Sequence, residues 1–329
     1  MLREQLIRDI YAVDESTFNE VCLSVFAYQY KNCQPYRLFV DALKKVPEQI
    51  RTYKEIPFLP IDFFKQMPVL STEGLITRTF ESSATTGSIT SKRYVTHVDL
   101  YIESFTRCFE HFYGSIKEYA ILALLPSYLE RTNSSLVFMV NELMQLSGNK
   151  YNKFYLANFE ELRLALDSLN KSKQKTILIG VTFALIDFAQ QYQLSLDHTI
   201  VMETGGMKGR GVEPIRSDLH QYLAGQLGVT SIHSEYGMTE LFSQAYAKKK
   251  GAFKCPAWMK VLIRDVNDPF HVLENGKTGG VNIIDLYNID AVSFIATQDL
   301  GLVNADNSFE ILGRFDNSDI RGCNLLYTN

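Results

Sequence analysis

Residues 176–206, TILIGVTFALIDFAQQYQLSLDHTIVMETGG, contain two short apolar runs separated by a stretch long enough to form a helix. The runs at 176–183 and 198–206 are rich in β-branched residues and do not alternate with polar ones, which is typical of strands buried on both faces. Two such strands joined by a helix of about ten or more residues form a parallel pair. The stretch therefore predicts an α/β fold.

The same alternation extends towards the N-terminus. It predicts strands at 75–81 and 119–126 and helices at 97–114 and 134–148. Residues 4–30 place apolar side chains at helical spacing and predict two helices, broken near Asp14. The prolines of IPFLPIDFFK at 56–65 exclude a regular helix there.

The pattern changes after residue 250. Four strand candidates, PAWMKVLIRDV, GGVNIIDLYN, AVSFIAT and SFEILGRF, follow one another with short turns and no helix between them. Such spacing is typical of an antiparallel sheet or small barrel. We therefore predict an N-terminal helical segment packed on the body at 1–70, an α/β body at 71–250, and a β-rich subdomain with a short tail at 251–329.

Composition excludes several classes of protein. The 329 residues are 46% hydrophobic and 21% charged, and a net charge of −4 without long charged runs argues against a nucleic-acid surface. Charged residues interrupt the apolar positions of the N-terminus, so no secretory signal is expected, and no window approaches the roughly 18 apolar residues of a membrane span. Five cysteines without a CxxC pair favour a reducing cytoplasm over a disulfide framework or a zinc site.

The strongest local motif is ESSATTGS at residues 81–88, which follows a predicted strand. Its small residues allow the backbone to approach an anion, and its hydroxyls add donors for phosphate oxygens. The GxxxxGK[ST] pattern of a P-loop is missing. A Ser/Thr-rich surface turn explains the segment equally well.

Two further segments lie at the ends of predicted strands, the first after a short strand candidate at 229–233 and the second at the end of the strand at 198–206. In SEYGMTE at 234–240, a carboxylate at a strand end can hold Mg²⁺ and a neighbouring hydroxyl can contact a phosphate, although a buried tyrosine beside a turn is the simpler reading. In METGG at 202–206, two glycines allow a flat ring to approach the backbone, and plain turn chemistry is the alternative.

A fourth pair of segments, TQDLG at 297–301 and GRFDNSD at 313–319, lies near the C-terminus. An aspartate can accept both hydroxyl protons of a ribose, and an arginine can close on sugar and phosphate. The alternative is that Asp-Leu-Gly forms a hairpin turn.

Taken in order, SSATTGS, ETGG, EYGMTE, TQDLG and GRFDNSDIRG resemble the phosphate loop, adenine segment, YGxTE motif, ribose aspartate and hinge arginine of the adenylate-forming superfamily. Within it, the chain is most similar to the acyl-protein synthetase of the bacterial bioluminescence fatty-acid reductase complex. The helical N-terminus with IPFLPIDFFK, the TTGS loop without Pro-Lys-Gly, and an end soon after GRFDNSDIRGCNLLY support this. The resemblance implies the large domain of such an enzyme, and we expect the small C-terminal lid with its catalytic lysine to be missing.

The resemblance also implies roles for individual residues and ATP with Mg²⁺ as cofactors. Thr239 would contact the α-phosphate, and Glu240 would hold Mg²⁺. Asp299 would bind the ribose hydroxyls, with Arg314 beside them. The β- and γ-phosphates would be bound by Ser82, Ser83, Thr85, Thr86 and Gly87. The adenine would be flanked by Gly205, Gly206 and Tyr236, and Gly237 would also belong to the ATP site. Lys92 is out of register with the family's loop lysine, so that role is not transferred.

Two residues are candidates for the acyl-transfer chemistry. Cys323 lies six residues from the C-terminus, and the bioluminescence synthetases carry their acyl group on a cysteine in that region. Arg321 nearby could lower the thiol pKa, and the alternative is an inert small residue. His233 could face the acyl carboxylate, whereas a histidine satisfied at a strand end is the simpler interpretation.

These observations predict a cytoplasmic ligase that adenylates a carboxylic acid, a fatty acid in the first instance, and passes the acyl group to a protein thiol. An acyl reductase or carrier protein would be the accepting partner. One alternative is an aryl- or acyl-CoA ligase that resembles phenylacetate-CoA ligase. Another is a nucleotide-binding or scaffold protein that has kept the fold without catalysis.

Overall fold

The computed structural model describes residues 2–82, 89–126, 131–156, 158–205 and 215–315. Within these ranges the α-helices are α1 (Arg3–Tyr11), α2 (Phe18–Asn32), α3 (Gln34–Ala42), α4 (Phe63–Gln66), α5 (Val98–Tyr113), α6 (Ser135–Ser147), α7 (Phe159–Lys171), α8 (Thr182–Gln191) and α9 (Arg216–Leu227). The strands are β1 (Leu59–Pro60), β2 (Arg78–Glu81), β3 (Lys92–Val95), β4 (Ala120–Leu124), β5 (Lys153–Phe154), β6 (Thr176–Gly180), β7 (Thr199–Glu203), β8 (Ile232–Tyr236), β9 (Ala245–Ala247), β10 (Met259–Arg264), β11 (Thr278–Asp285), β12 (Phe294–Val303) and β13 (Phe309–Arg314).

A six-stranded sheet in the order β5-β4-β6-β7-β8-β9 forms the centre of the body. Its strands run parallel except for β9, which pairs with β8 in the antiparallel sense. Every residue of β4 and β6 is buried, as expected of a parallel sheet that is covered on both faces. The α/β fold predicted from residues 176–206 is confirmed.

Two predicted strand boundaries in this sheet are wrong. The strand expected at 176–183 ends at Gly180, and α8 begins at Thr182. Because α8 is itself buried along one side, the apolar run does not mark where strand gives way to helix. The strand expected at 229–233 instead spans Ile232–Tyr236, so Glu235 and Tyr236 belong to the strand rather than to the following turn.

A second sheet has the order β1-β12-β11-β10, with β13 also paired to β12. The pairs among β10, β11, β12 and β13 are antiparallel, as predicted. The alternative of a hairpin turn at Asp-Leu-Gly is wrong, because β12 continues through Asp299 and pairs it with Arg314. Residues Leu59–Pro60 add a parallel edge strand that was not predicted.

The N-terminal helices pack on this second sheet. The two helices predicted in residues 4–30 are confirmed as α1 and α2, whereas α3 was not predicted. The buried Gln29 side chain on α2 donates to the Asn288 carbonyl at 3.0 Å and accepts the Ser293 N–H at 3.0 Å. Arg3 on α1 forms a two-pronged ion pair with Asp290, at 2.5 and 2.7 Å. The predicted boundaries at residues 70 and 250 stay predictions.

The described helices include none with the length and apolar character needed to cross a membrane.

Candidate functional site

A cavity of about 1000 Å³ lies beyond the carboxyl ends of the parallel strands. Val181, Gly205 and Tyr236 line it from the ends of β6, β7 and β8, and Asp299 and Arg314 line it from the second sheet. The carboxyl edge of a parallel sheet is where α/β proteins bind their ligands, because helix N-termini and loop backbones converge there. The two sheets thus meet around one candidate site.

Tyr236, Asp299 and Arg314 form a hydrogen-bonded group that we call the Asp299 cluster. The Tyr236 hydroxyl donates to Asp299 Oδ2 at 2.7 Å, and Arg314 Nε donates to Asp299 Oδ1 at 3.1 Å. Burial and the neighbouring carboxylate hold the pKa of Tyr236 well above its usual value, so the hydroxyl stays a donor. Asp299 is only 5% exposed, but it faces the cavity and keeps acceptor capacity for hydroxyl groups of a ligand.

Gly205 begins the segment predicted to contact adenine. Its backbone has φ +72°, and its N–H donates to Glu203 Oε2 at 2.7 Å. The other Glu203 oxygen lies 3.5 Å from His220 Nε2 and 3.8 Å from Arg216 Nε. Burial raises the pKa of Glu203, but the His220 hydrogen bond and the Arg216 charge, together with hydrogen bonds from Ser234 and Gly205, outweigh it and leave the pKa below its usual value. An ionised Glu203 therefore anchors the turn.

Thr239 and Glu240 follow β8. Thr239 lines the cavity, whereas Glu240 lies directly behind it and is not among the described lining residues. Glu240 is 4% exposed, and burial raises the pKa of its carboxyl against a hydrogen bond from Ser91. The Glu240 carbonyl accepts from Asn288 Nδ2 at 2.9 Å, and Asn288 Oδ1 accepts from Arg93 Nη2 at 3.2 Å. A chain of hydrogen bonds thus fixes the backbone at Glu240.

Arg93 on β3 is a buried cation behind this chain of hydrogen bonds. It is 1% exposed, and its guanidinium carbon lies 4.5 Å from the centre of the Phe242 ring. Its Nε and Nη1 make no hydrogen bond to the described residues. Burial lowers the pKa of Arg93 to about 10, and the carboxylates of Asp290, Asp285 and Glu240 oppose the shift.

The base of the predicted phosphate loop is closed by Ser82 and Ser91. The Ser82 N–H donates to the Ser91 carbonyl at 3.0 Å, and the Ser91 N–H donates to Ser82 Oγ at 2.9 Å. Lys92 pairs with Glu81 at 3.5 Å across the β2–β3 hairpin. The remaining predicted loop residues, Ser83, Thr85, Thr86 and Gly87, lie outside the described residues, as do Gly206 and Cys323.

His233 is not among the described residues that line the cavity. Its Nδ1 lies 3.1 Å from the Tyr113 hydroxyl on α5. Burial, with the nearby charge of Lys248, lowers the pKa of His233 to about 4, so the ring is neutral near pH 7. The structure therefore leaves His233 apart from the Asp299 cluster and from Thr239.

The wall away from the Asp299 cluster carries the apolar side chains of Tyr101, Val137 and Met139 together with polar Ser134 and Ser135. Glu235 and Gln244 interrupt this wall, and neither was singled out from the sequence. Burial and the charge of Glu203 raise the pKa of Glu235 to about 8. The sequence offered one signal for Glu235. It directly precedes Tyr236, and neighbouring side chains along a strand face opposite sides of the sheet.

The fold is that of adenylate-forming ligases. The ATP-bound structure of MatB from Rhodopseudomonas palustris matches with a TM-score of 0.54 and 17% identity, over 84% of this chain and 52% of MatB. An open conformation of 2-hydroxyisobutyryl-CoA ligase in complex with 2-HIB-AMP and CoA matches with a TM-score of 0.68 and 12% identity, over 92% of this chain and 76% of that one. This chain therefore spans about half the length of MatB.

The sequence pattern of the acyl-protein synthetase family LuxE matches residues 8–329, and the chain belongs to that family. The resemblance inferred from the five motifs is thereby confirmed. A search of curated protein sequences gives no significant match.

Proposed function

We propose that this chain uses ATP and Mg²⁺ to convert a carboxylic acid to its acyl-adenylate and then passes the acyl group to a protein cysteine. The observation that carries the proposal is that the Asp299 cluster, the Gly205 turn and Thr239 all face one cavity whose other wall includes apolar side chains. Family membership supports the acyl-protein synthetase subtype. The apolar wall favours a fatty or aromatic acid.

In the first step a carboxylate oxygen of the acid attacks the α-phosphorus of ATP, the bond to the β-phosphate oxygen breaks, and pyrophosphate leaves. Asp299 accepts the ribose hydroxyls, and the Thr239 hydroxyl donates to an α-phosphate oxygen. Gly205 and Tyr236 flank the adenine. Little covalent chemistry is needed from the protein, since alignment and charge stabilisation account for most of the acceleration.

Glu240 fits a role as the Mg²⁺ ligand. No group of three or more His, Cys, Asp or Glu side chains in the described ranges could hold a metal by itself. Mg²⁺ commonly uses one or two carboxylates together with substrate phosphates, so a single buried carboxylate beside Thr239 suits it. The ion would supply positive charge to the triphosphate.

In the second step the acceptor thiol loses its proton to solvent, the thiolate sulfur attacks the acyl carbonyl carbon, and the bond to the AMP oxygen breaks so that AMP leaves. Among the described cysteines, burial raises the pKa of Cys33 to about 11 and of Cys255 to about 12. Burial also raises the pKa values of Cys22 and Cys108 strongly. Since a thiol reacts as its thiolate, these four are poor acceptors, which favours Cys323 or a cysteine of a partner reductase or carrier protein.

Pyrophosphate exchange into ATP across a panel of fatty and aromatic acids tests the first step. Exchange that depends on one class of acid and is lost in Asp299→Ala supports the proposal. AMP release that requires CoA would instead indicate a CoA ligase. ATP binding without exchange for any acid would indicate a protein that has kept the fold without catalysis.

Covalent labelling with radioactive acid and ATP tests the second step. We expect wild-type protein to become labelled in a thioester that hydroxylamine cleaves, and Cys323→Ser to remain unlabelled. Cys255→Ser is the matched control and should label like wild type. Continued labelling of Cys323→Ser would move the acceptor away from this residue.

A further inference from the structure

The cavity has two chemically different sides, which are separated by the alternation of side chains along β8. Tyr236 points to the second sheet, where it binds Asp299. His233, three positions earlier, points to α5 and lies against Tyr113. Glu235 shares the side of His233 and therefore faces away from the Asp299 cluster, towards the wall that contains Tyr101 and Val137.

Glu235 lacks a partner on this wall. Its side chain lines the cavity, the residue is only 8% exposed, and neither of its oxygens makes a hydrogen bond or ion pair with the described residues. Gln244 lines the same wall, and its Oε1 is buried and also unpaired within the described part of the chain. A Cβ placed on Gly237 would lie 2.5 Å from Glu235 Oε1 and 3.5 Å from Gln244 Cγ, so the two side chains flank one glycine.

The Glu235 carboxyl and the Gln244 amide oxygen determine which group of a ligand could form hydrogen bonds at this wall. Burial raises the pKa of Glu235, and it also raises the pKa of the Tyr101 hydroxyl, which lines the same wall. Near pH 7 the wall therefore carries neutral hydrogen-bonding groups, one of which both donates and accepts. A plain alkyl chain would leave both Glu235 and Gln244 unpaired, and an ammonium group would form an ion pair only by ionising Glu235 beside the charge of Glu203. A hydroxyl group satisfies both.

We propose that the acid activated by this chain carries a hydroxyl group, and that Glu235 and Gln244 bind this hydroxyl on the apolar side of the cavity. The substrate class is then hydroxylated fatty or phenolic acids rather than unsubstituted ones. The inference rests on the proposed acid-activating function and narrows its substrate.

The test is exchange activity with matched pairs of acids that differ only in one hydroxyl group. The pairs comprise fatty acids hydroxylated at each position from the second carbon to the chain end and benzoic acids with and without a ring hydroxyl. We expect one pair to show a preference of roughly 10- to 100-fold in kcat/KM for the hydroxylated member, because the plain acid leaves buried polar groups unpaired. Glu235→Leu should reverse that preference, and Glu235→Gln should retain much of it.

Controls separate this inference from the proposed function. Glu118→Gln removes an exposed carboxyl that pairs with Lys175 and should keep the wild-type preference. Gln244→Leu supplies a second variant should Glu235→Leu not fold. Equal use of both members of every pair, with exchange intact, overturns the inference while leaving acid activation standing. If no acid supports exchange, equilibrium dialysis of the same labelled acids with the protein alone still measures whether the hydroxylated member binds tighter.

Discussion

Tyr236→Phe is the substitution that tests the Asp299 cluster most directly. The lost hydrogen bond is short, at 2.7 Å, and its acceptor is a carboxylate oxygen, so it contributes about 1.5–3 kcal/mol. Arg314 still holds the other oxygen of Asp299, which favours the lower limit. A loss of about 1.5 kcal/mol corresponds to a roughly tenfold increase in KM for ATP. We expect kcat to change little, since the ribose is distant from the reacting phosphorus.

Pyrophosphate exchange at saturating acid and varied ATP measures this effect. The Tyr236 ring should keep its packing against Phe253 and Phe309, so urea denaturation should show a folded variant. Tyr113→Phe is the matched control, because it removes a partly buried hydroxyl that bonds to His233 outside the cavity lining. An unchanged KM for ATP in Tyr236→Phe, or an equal increase in Tyr113→Phe, would refute the assignment of this cluster to the nucleotide.

Three further predictions concern anchoring and stability. Glu203→Gln should raise KM for ATP several-fold in the same exchange assay, because the amide cannot hold the turn and its basic partners together; an unchanged KM would contradict this. Asp290→Asn should lower the free energy of unfolding by about 3 kcal/mol at pH 7 by leaving Arg3 unpaired. The pKa of Asp290 in the folded protein lies below its usual value. The difference in unfolding free energy between wild type and Asp290→Asn is therefore fully present above the unfolded pKa of about 3.9. In urea titrations it should shrink as the pH falls through the folded pKa. Gly228→Ala should reduce stability by at least about 2 kcal/mol in thermal melts, and Gly148→Ala by about 1 kcal/mol. Both glycines have positive φ, but only at Gly228 would a Cβ lie 2.5 Å from a backbone oxygen. Equal losses in the two variants would contradict the steric argument.

The parallel sheet could be predicted because residues 176–206 leave few alternatives. Two apolar runs of strand length with a helix-length connection satisfy their backbone hydrogen bonds most simply as a parallel pair. The length of β8 could not be predicted in the same way. Its last residue, Tyr236, is held in the strand by antiparallel pairing with Ala245, a partner that no local pattern indicates.

Part of the candidate site could likewise be predicted from the sequence. The order of the five motifs identified Asp299 and Arg314, yet their direct pairing follows from β13 lying beside β12. Glu203 and Glu235 were missed because their roles depend on burial and on which neighbours are present or absent. A single sequence contains neither fact.

The attachment of α2 to β12 has a consequence for synthesis of the protein. Gln29 binds the Asn288 carbonyl, 259 positions later in the chain, and Phe26 packs edge-on against Phe294. At about 5–20 residues per second, a ribosome needs roughly 13–50 s to make the segment between them. Throughout that interval the apolar face of α2 has emerged without its cover, so the first helices of a nascent chain are where a chaperone that binds exposed hydrophobic surface would act.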